Sequence, residues 1–161
     1  MVGGAQERRR RAGTESVPLA AAFGTAADLA REMVGRAGEI EGLRDRFETL
    51  VRLQLASAAI NGAGLPRLPN TSNVRFSGAD GGSLGIALDL AGVAASTGSA
   101  CSSGRTERSH VLLEMGLTEE DARSSVRFSL GRFNTMSEIE QVAGMLGEMV
   151  PRNTKRDAKV S

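Results

Sequence analysis

One cysteine and one histidine stand in the whole chain of 161 residues. A lone thiol cannot close an internal disulfide, and with a lone imidazole it falls short of the four ligands that a structural zinc site takes. Tryptophan and tyrosine are absent and phenylalanine occurs five times, so a core has to be built mainly from Ala, Val, Leu, Ile and Met. Lysine is scarce: of twenty basic side chains only Lys155 and Lys159 are lysines. No apolar run reaches the length that spans a bilayer. The first residues, MVGGAQERRRRAG, carry no apolar segment of the secretory-signal kind. A net charge of +1 lacks the basic excess of a nucleic-acid surface, and the one dense basic run, Arg8 to Arg11, is short and reads as solvated. These absences speak against disulfide scaffolds, zinc modules and dedicated nucleic-acid binders. They fit a soluble chain in a reducing, cytoplasmic setting, with no nucleic acid and no membrane as partner.

What is present is enough for one domain of ordinary size. Hydrophobic residues make up 40% and there are 20 glycines, which suggests a packed core with many turns. Residues 1–16 are polar, show no core periodicity, and read as a poorly packed loop. From Pro18 to about Ser57 the pattern is helical: Leu19, Phe23, Ala26, Ala27, Ala30, Met33 and Val34, then Leu43, Phe47, Leu50 and Val51, follow the i, i+3, i+4 spacing of an apolar stripe. Gly35, Gly38 and Gly42 are places where the run can bend or break. Asn61-Gly62-Ala63-Gly64 with Pro66 and Pro69 marks a turn region. Ser72 to Phe76 leans to strand, Gly81 to Leu90 to helix, and Val93 to Ala95 to a brief strand. Residues 96–108, STGSACSSGRTER, are small or polar and read as a mobile loop. Thr118 suits the N-cap of a short helix. Val126, Phe128 and Leu130 alternate with Ser125, Arg127 and Ser129, as in a half-buried strand. Thr135 and Glu138 form a capping box ahead of a last helix, and residues 151–161 read as a disordered polar tail. The mixture is α+β.

Three places carry chemistry-bearing residues. Cys101 sits among serines and glycines with Arg105 and Arg108 nearby, a setting that favours an exposed thiolate; a small, half-buried hydrophobe without a role is the other reading. Arg127 stands on the polar face of its strand, where a fixed guanidinium suits a two-point grip on a carboxylate; an ordinary surface arginine is the alternative. Gly13 and Thr14 offer backbone N–H groups and a hydroxyl that suit a phosphate oxygen, although a Gly-Thr pair alone is common. His110 begins a helix, where a histidine caps or packs.

The three places share an order with one family. Gly3-Gly4-Ala5-Gln6-Glu7 with Arg10-Arg11-Ala12-Gly13-Thr14, then Arg67-Leu68-Pro69-Asn70-Thr71 with Asn73-Val74, then Ser99-Ala100-Cys101-Ser102-Ser103-Gly104 with Ser109-His110-Val111-Leu112, and finally Val126-Arg127-Phe128-Ser129-Leu130-Gly131-Arg132 form one series. This series resembles the NifS/IscS group of cysteine desulfurases, within the class V aminotransferase-like enzymes. The resemblance runs from Gly3 to about Val150.

The resemblance implies the small C-terminal domain of a fold-type-I pyridoxal-phosphate transferase, over residues 40–150. Ahead of it, residues 1–39 would be a loop and connecting helix from the end of the large domain. It implies that Cys101 takes sulfur from L-cysteine as a persulfide and that Arg127 holds the substrate carboxylate. Gly13 and Thr14 would meet the phosphate of pyridoxal phosphate across a homodimer interface. It further implies transfer of the sulfur to an acceptor protein such as an iron–sulfur scaffold. The family's cofactor lysine has no counterpart here, so the chain by itself is expected to be inactive. A non-catalytic remnant or binding module, and a selenocysteine lyase, are the alternative functions.

Overall fold

The structure, a computed structural model, describes residues 3, 4, 6–10, 12–97 and 109–150. The chain divides into two compact units, Met1–Arg36 and Ala37–Ser161.

The first unit holds a single 3-10 turn, Gln6–Arg9, and helix α1, Val17–Gly35. Ser16 caps α1, its hydroxyl accepting from the Leu19 N–H at 3.5 Å, and Pro18 occupies the first turn, where no intrahelical donor is needed. No residue of α1 is buried, and Leu19, Phe23 and Val34 of the apolar stripe are well exposed. Gly3, Gly4, Glu7, Arg8, Arg10 and residues 13–16 are exposed, and Gln6 and Ala12 are half-buried.

The second unit begins with α2, Ala37–Gln54. Of the three glycines where a break was expected, only Gly35 stands at a helix end; α2 runs through Gly38 and Gly42. A four-stranded sheet follows, built from β1 (Ala58–Ile60), β2 (Thr71–Phe76), β3 (Ser96–Thr97) and β4 (Ser125–Ser129) in the order β1-β2-β4-β3, with every pair antiparallel. Between the strands lie α3 (Gly81–Leu90), α4 (His110–Glu114) and α5 (Glu119–Arg123), and α6 (Met136–Met149) closes the unit. Among the described residues no helix is long and apolar enough to cross a membrane.

The pleat gives the sheet two faces of opposite character. Ile60, Val74, Phe76, Val126 and Phe128 are buried in one core with Phe47, Val51 and Leu55 of the α2 region, Leu84 and Leu88 of α3, and Ile139, Ala143 and Leu146 of α6. Burying a side chain of this kind contributes roughly 1.5–3 kcal/mol. Three of the five phenylalanines are spent here, and the rings of Phe47 and Phe128 lie 4.9 Å apart at 55°. Thr71, Asn73 and Arg75 of β2 fall on the opposite face, in register with Ser129, Arg127 and Ser125 of β4.

Two features lock this unit. A Cβ at Gly81 would stand 2.5 Å from the carbonyl oxygen of Arg123 and 3.1 Å from that of Ser125, so only glycine admits the approach of α3 to the β4 entry. Meanwhile α2 holds the segment before β2. Arg67 donates from both terminal nitrogens to Glu48, at 2.6 and 2.8 Å, and the buried Arg44 donates to the Leu68 carbonyl at 2.9 Å.

The structure departs from the sequence reading at two places. The strand expected at Val93–Ala95 lies at Ser96–Thr97, inside the stretch read as a loop, because pairing with Arg127 and Val126 of β4 organises it. Its continuation, residues 98–108, lies outside the described residues, as does the tail 151–161. Ser125 breaks the expected alternation by being buried, which its two hydrogen bonds permit: its hydroxyl donates to the Asp121 carbonyl at 2.7 Å and accepts from Asn61 Nδ2 at 3.0 Å.

Candidate functional site

The polar face of the sheet carries a continuous row across its strands. Asn73 of β2 faces Arg127 of β4, and Arg127 faces Ser96 of β3. Asn61, just after β1, extends the row, with its backbone N–H donating to the Asn73 carbonyl at 2.9 Å. These four residues, with Ser109 and Ser125, line a cavity of about 250 Å³. Its apolar wall is the α4 region, through Val111, Leu112 and Met115. Alternation alone puts Arg127 on this face, since Val126 and Phe128 on either side are drawn into the core.

The arginines of this unit differ in occupation. Arg75, on the same face, is paired with Asp121 at 2.8 Å, Arg67 with Glu48, and Arg44 with Glu41 and Asp45. Arg127 has no acidic partner among the described residues; its Nη2 donates to Ser96 Oγ at 3.3 Å. An exposed guanidinium beside a polar cavity, with no carboxylate of its own among the described residues, is equipped to hold a carboxylate from outside.

Cys101 lies outside the described residues, but the chain on either side of its segment does not. Ser96, at the start of β3, and Ser109, which caps α4 by accepting from the Leu112 N–H at 3.4 Å, both line the Arg127 cavity. The segment that bears Cys101 therefore leaves and rejoins the described fold at the same cavity. His110 is the exposed first residue of α4 and does not line it.

Gly13 and Thr14 belong to the first unit. Gly13 has φ +124°, a left-handed region favouring glycine, with nothing within 4 Å of where a Cβ would stand, and Thr14 is exposed. An exposed glycine backbone and an exposed hydroxyl suit a phosphate oxygen. Among the described residues no lysine meets the aldehyde end of pyridoxal phosphate; Lys155 and Lys159 lie outside them.

Of these cavity-lining residues the sequence reading named Arg127 as a candidate and not Asn61, Asn73 or Ser125, whose meeting depends on the register of β1, β2 and β4. Two carboxylates whose pKa is lowered lie elsewhere. Asp80, capping α3, is held below the usual carboxylate pKa, first by the backbone N–H of Ser83 and then by its hydroxyl. Glu138 is lowered chiefly by the backbone N–H of Thr135 in the α6 capping box. Both are structural.

The family model for class-V aminotransferases matches residues 4–142. This chain belongs to the class-V aminotransferase family. It is 42% identical over 153 residues to cysteine desulfurase IscS 1 of Archaeoglobus fulgidus, covering 94% of this chain and 40% of that protein. It is 42% identical over 152 residues to cysteine desulfurase 2 of Trichormus variabilis, covering 94% of this chain and 38% of that one. Among solved structures, a NifS-like protein from Rickettsia africae superposes with a TM-score of 0.77 at 32% identity, covering 92% of this chain and 38% of that chain. The family member described here thus has the mixed helix-and-sheet fold of NifS-like proteins, and spans about two fifths of the length of the curated relatives it matches.

Proposed function

We propose that this chain supplies the sulfur-accepting cysteine and the substrate-carboxylate grip of a pyridoxal-phosphate-dependent cysteine desulfurase, as its C-terminal part. The observation that carries the reading is the pairing of Arg127, a guanidinium without an acidic partner among the described residues, with a cavity lined by Ser96 and Ser109 on either side of the Cys101 segment. The similarity to cysteine desulfurases supports it from an independent side. Residues 1–39 are read as the end of the large domain with its connecting helix, and residues 40–150 as the small domain.

In this reading Arg127 binds the carboxylate of L-cysteine and fixes the position of the substrate sulfur. Cys101, as thiolate, attacks that sulfur: the Cys101 Sγ–S bond forms, the substrate Cβ–S bond breaks, and the carbon takes a proton to leave alanine. The product on the chain is a persulfide, ready for a sulfur-acceptor protein such as an iron–sulfur scaffold. Pyridoxal phosphate supplies the electron sink that lets the Cβ–S bond break. Gly13 and Thr14 would hold its phosphate, in a homodimer, while its lysine attachment comes from outside this chain. The cytoplasm is the proposed setting.

The test co-expresses the chain with the remaining, cofactor-binding portion of the Archaeoglobus fulgidus relative, adds L-cysteine, and reads the mass of the alkylated Cys101 peptide. A gain of one sulfur atom together with alanine release is expected. Alanine release with no sulfur on Cys101 overturns the reading. Turnover of selenocysteine but not cysteine moves the activity to a selenocysteine lyase.

A further inference from the structure

The carboxylate reading uses one residue of the polar row, yet the hydrogen bonds around Arg127 orient a second. Ser125 has one hydroxyl proton, and it goes to the Asp121 carbonyl at 2.7 Å. Toward Asn61, at 3.0 Å, the Ser125 oxygen can therefore only accept, so the atom of Asn61 that faces it is Nδ2. The same Nδ2 lies 2.6 Å from the Asn73 side chain, and two amide nitrogens would not meet at that distance, so Asn73 presents Oδ1 to it. That leaves Asn73 Nδ2 as the end turned from Asn61, with no partner among the described residues. Asn73 is half-buried, lines the cavity, and stands directly opposite Arg127 across the β2–β4 pair.

We infer that Asn73 is a second carboxylate donor, its Nδ2 serving the amino-acid substrate alongside the Arg127 guanidinium, and that Asn61 is the positioning residue that decides which end of the Asn73 amide faces the cavity. The inference rests on the reading of Arg127 as the carboxylate grip and extends it to substrate geometry. Arg127 already spends an Nη2 hydrogen on Ser96, so its remaining donors and the Asn73 amide approach the anion from adjacent strands. A charged and a neutral donor on neighbouring strands fix the direction of a carboxylate more fully than the Arg127 fork alone. Asn61 gains its hold on Asn73 from two sides, through its backbone N–H and its Nδ2, so the amide is set before substrate arrives.

The experiment is a nitrogen-15 NMR titration of the full 161-residue chain with L-alanine as the carboxylate probe, and ethylamine as the control without a carboxylate. The Arg127 Nε–H and the Asn73 side-chain NH₂ signals are expected to shift together along one saturation curve with L-alanine and to stay still with ethylamine. Asn73→Asp places an acceptor where the donor stood and gives Arg127 a partner of its own; it should weaken L-alanine by at least about tenfold. Asn61→Ala should abolish the Asn73 response and leave the Arg127 response and the β2 and β4 backbone signals in place, which a merely structural asparagine would not do. A response of Arg127 without Asn73 in the wild-type chain overturns this inference and leaves the carboxylate reading standing. A response of neither overturns both, and the wild-type titration decides between these outcomes whether or not a variant folds.

Discussion

Arg127 donates from Nη2 to Ser96 Oγ at 3.3 Å, which ties the guanidinium to the short strand that leads into the Cys101 segment. A side chain held on one side, with no acidic partner among the described residues, keeps its direction without neutralising its charge. Arg127→Ala should therefore weaken L-cysteine binding by about 1.5–3 kcal/mol, the usual loss for a charge-assisted pair. Arg127→Lys keeps the charge but loses the forked geometry, and should recover only part of the affinity. The measurement is the L-cysteine concentration for half-maximal turnover in the assembly with a cofactor-binding portion supplied. Unchanged concentrations in both variants would remove Arg127 from the site.

Much of the second unit was legible because its signals are local. The capping box Thr135–Glu138 and the spacing of Ile139, Val142, Met145, Leu146 and Met149 mark α6, and the Val126/Phe128 alternation marks β4 and puts Arg127 on the far face. β1 was not legible: Ala58–Ile60 is three residues without alternation, and it is a strand because Ala58, Ala59 and Ile60 pair with Phe76, Arg75 and Val74. β3 is shorter still, and its serine and threonine belong to a sheet only through β4. The site divides in the same way. Arg127 shows in its own strand, while Asn73 gains meaning only from register with a strand more than fifty residues later.

The Arg67–Glu48 pair should matter for stability more than a surface ion pair does. It is two-pronged, and the side chains are only 23% and 9% exposed. Glu48→Ala leaves Arg67 without its partner and frees the segment leading into β2, for an expected loss of about 1–3 kcal/mol. Glu48→Gln, which retains one acceptor, should lose less. The Glu48 hydrogen bond, followed by its charge and opposed by burial, raises the Arg67 pKa. A raised base contributes stability fully present below its unfolded value and lost only as pH rises through the folded one, so this pair should be flat with pH across the neutral range. Urea midpoints of the three proteins between about pH 6 and 8 measure both statements.

Asp80 supplies an acid-side dependence of the opposite sign. Its carboxylate accepts from the Ser83 N–H at 2.8 Å and the Ser83 hydroxyl at 2.9 Å, and its pKa is lowered. A lowered acid contributes stability that is present above its unfolded value and lost as pH falls through the folded value. The group is largely solvent-accessible, so the effect is modest. Asp80→Asn keeps an N-cap acceptor and should flatten this part of the acid limb, whereas Asp80→Ala should cost about 1 kcal/mol near neutral pH. Urea unfolding at about pH 3 and about pH 6 separates the variants. An equal acid slope in wild type and Asp80→Asn would show that the cap charge plays no part.

The decisive variant for the proposed chemistry is Cys101→Ser, in the assembly with a cofactor-binding portion supplied. A hydroxyl is a far weaker nucleophile toward sulfur than a thiolate and cannot store a persulfide. Sulfur transfer to an acceptor protein should therefore fall to background. Cofactor absorbance should stay, because no part of the proposed cofactor hold uses Cys101. The L-cysteine concentration that perturbs that absorbance should also stay near the wild-type value, since the carboxylate grip is assigned to Arg127 and Asn73. Arg127→Ala should show the reverse pattern, with the nucleophile intact and substrate binding weakened. The two variants thus fail by different measurements, which a general loss of folding would not produce. Sulfur transfer by Cys101→Ser at the wild-type rate would mean that the sulfur never rests on this chain, and the proposed function would fall with it.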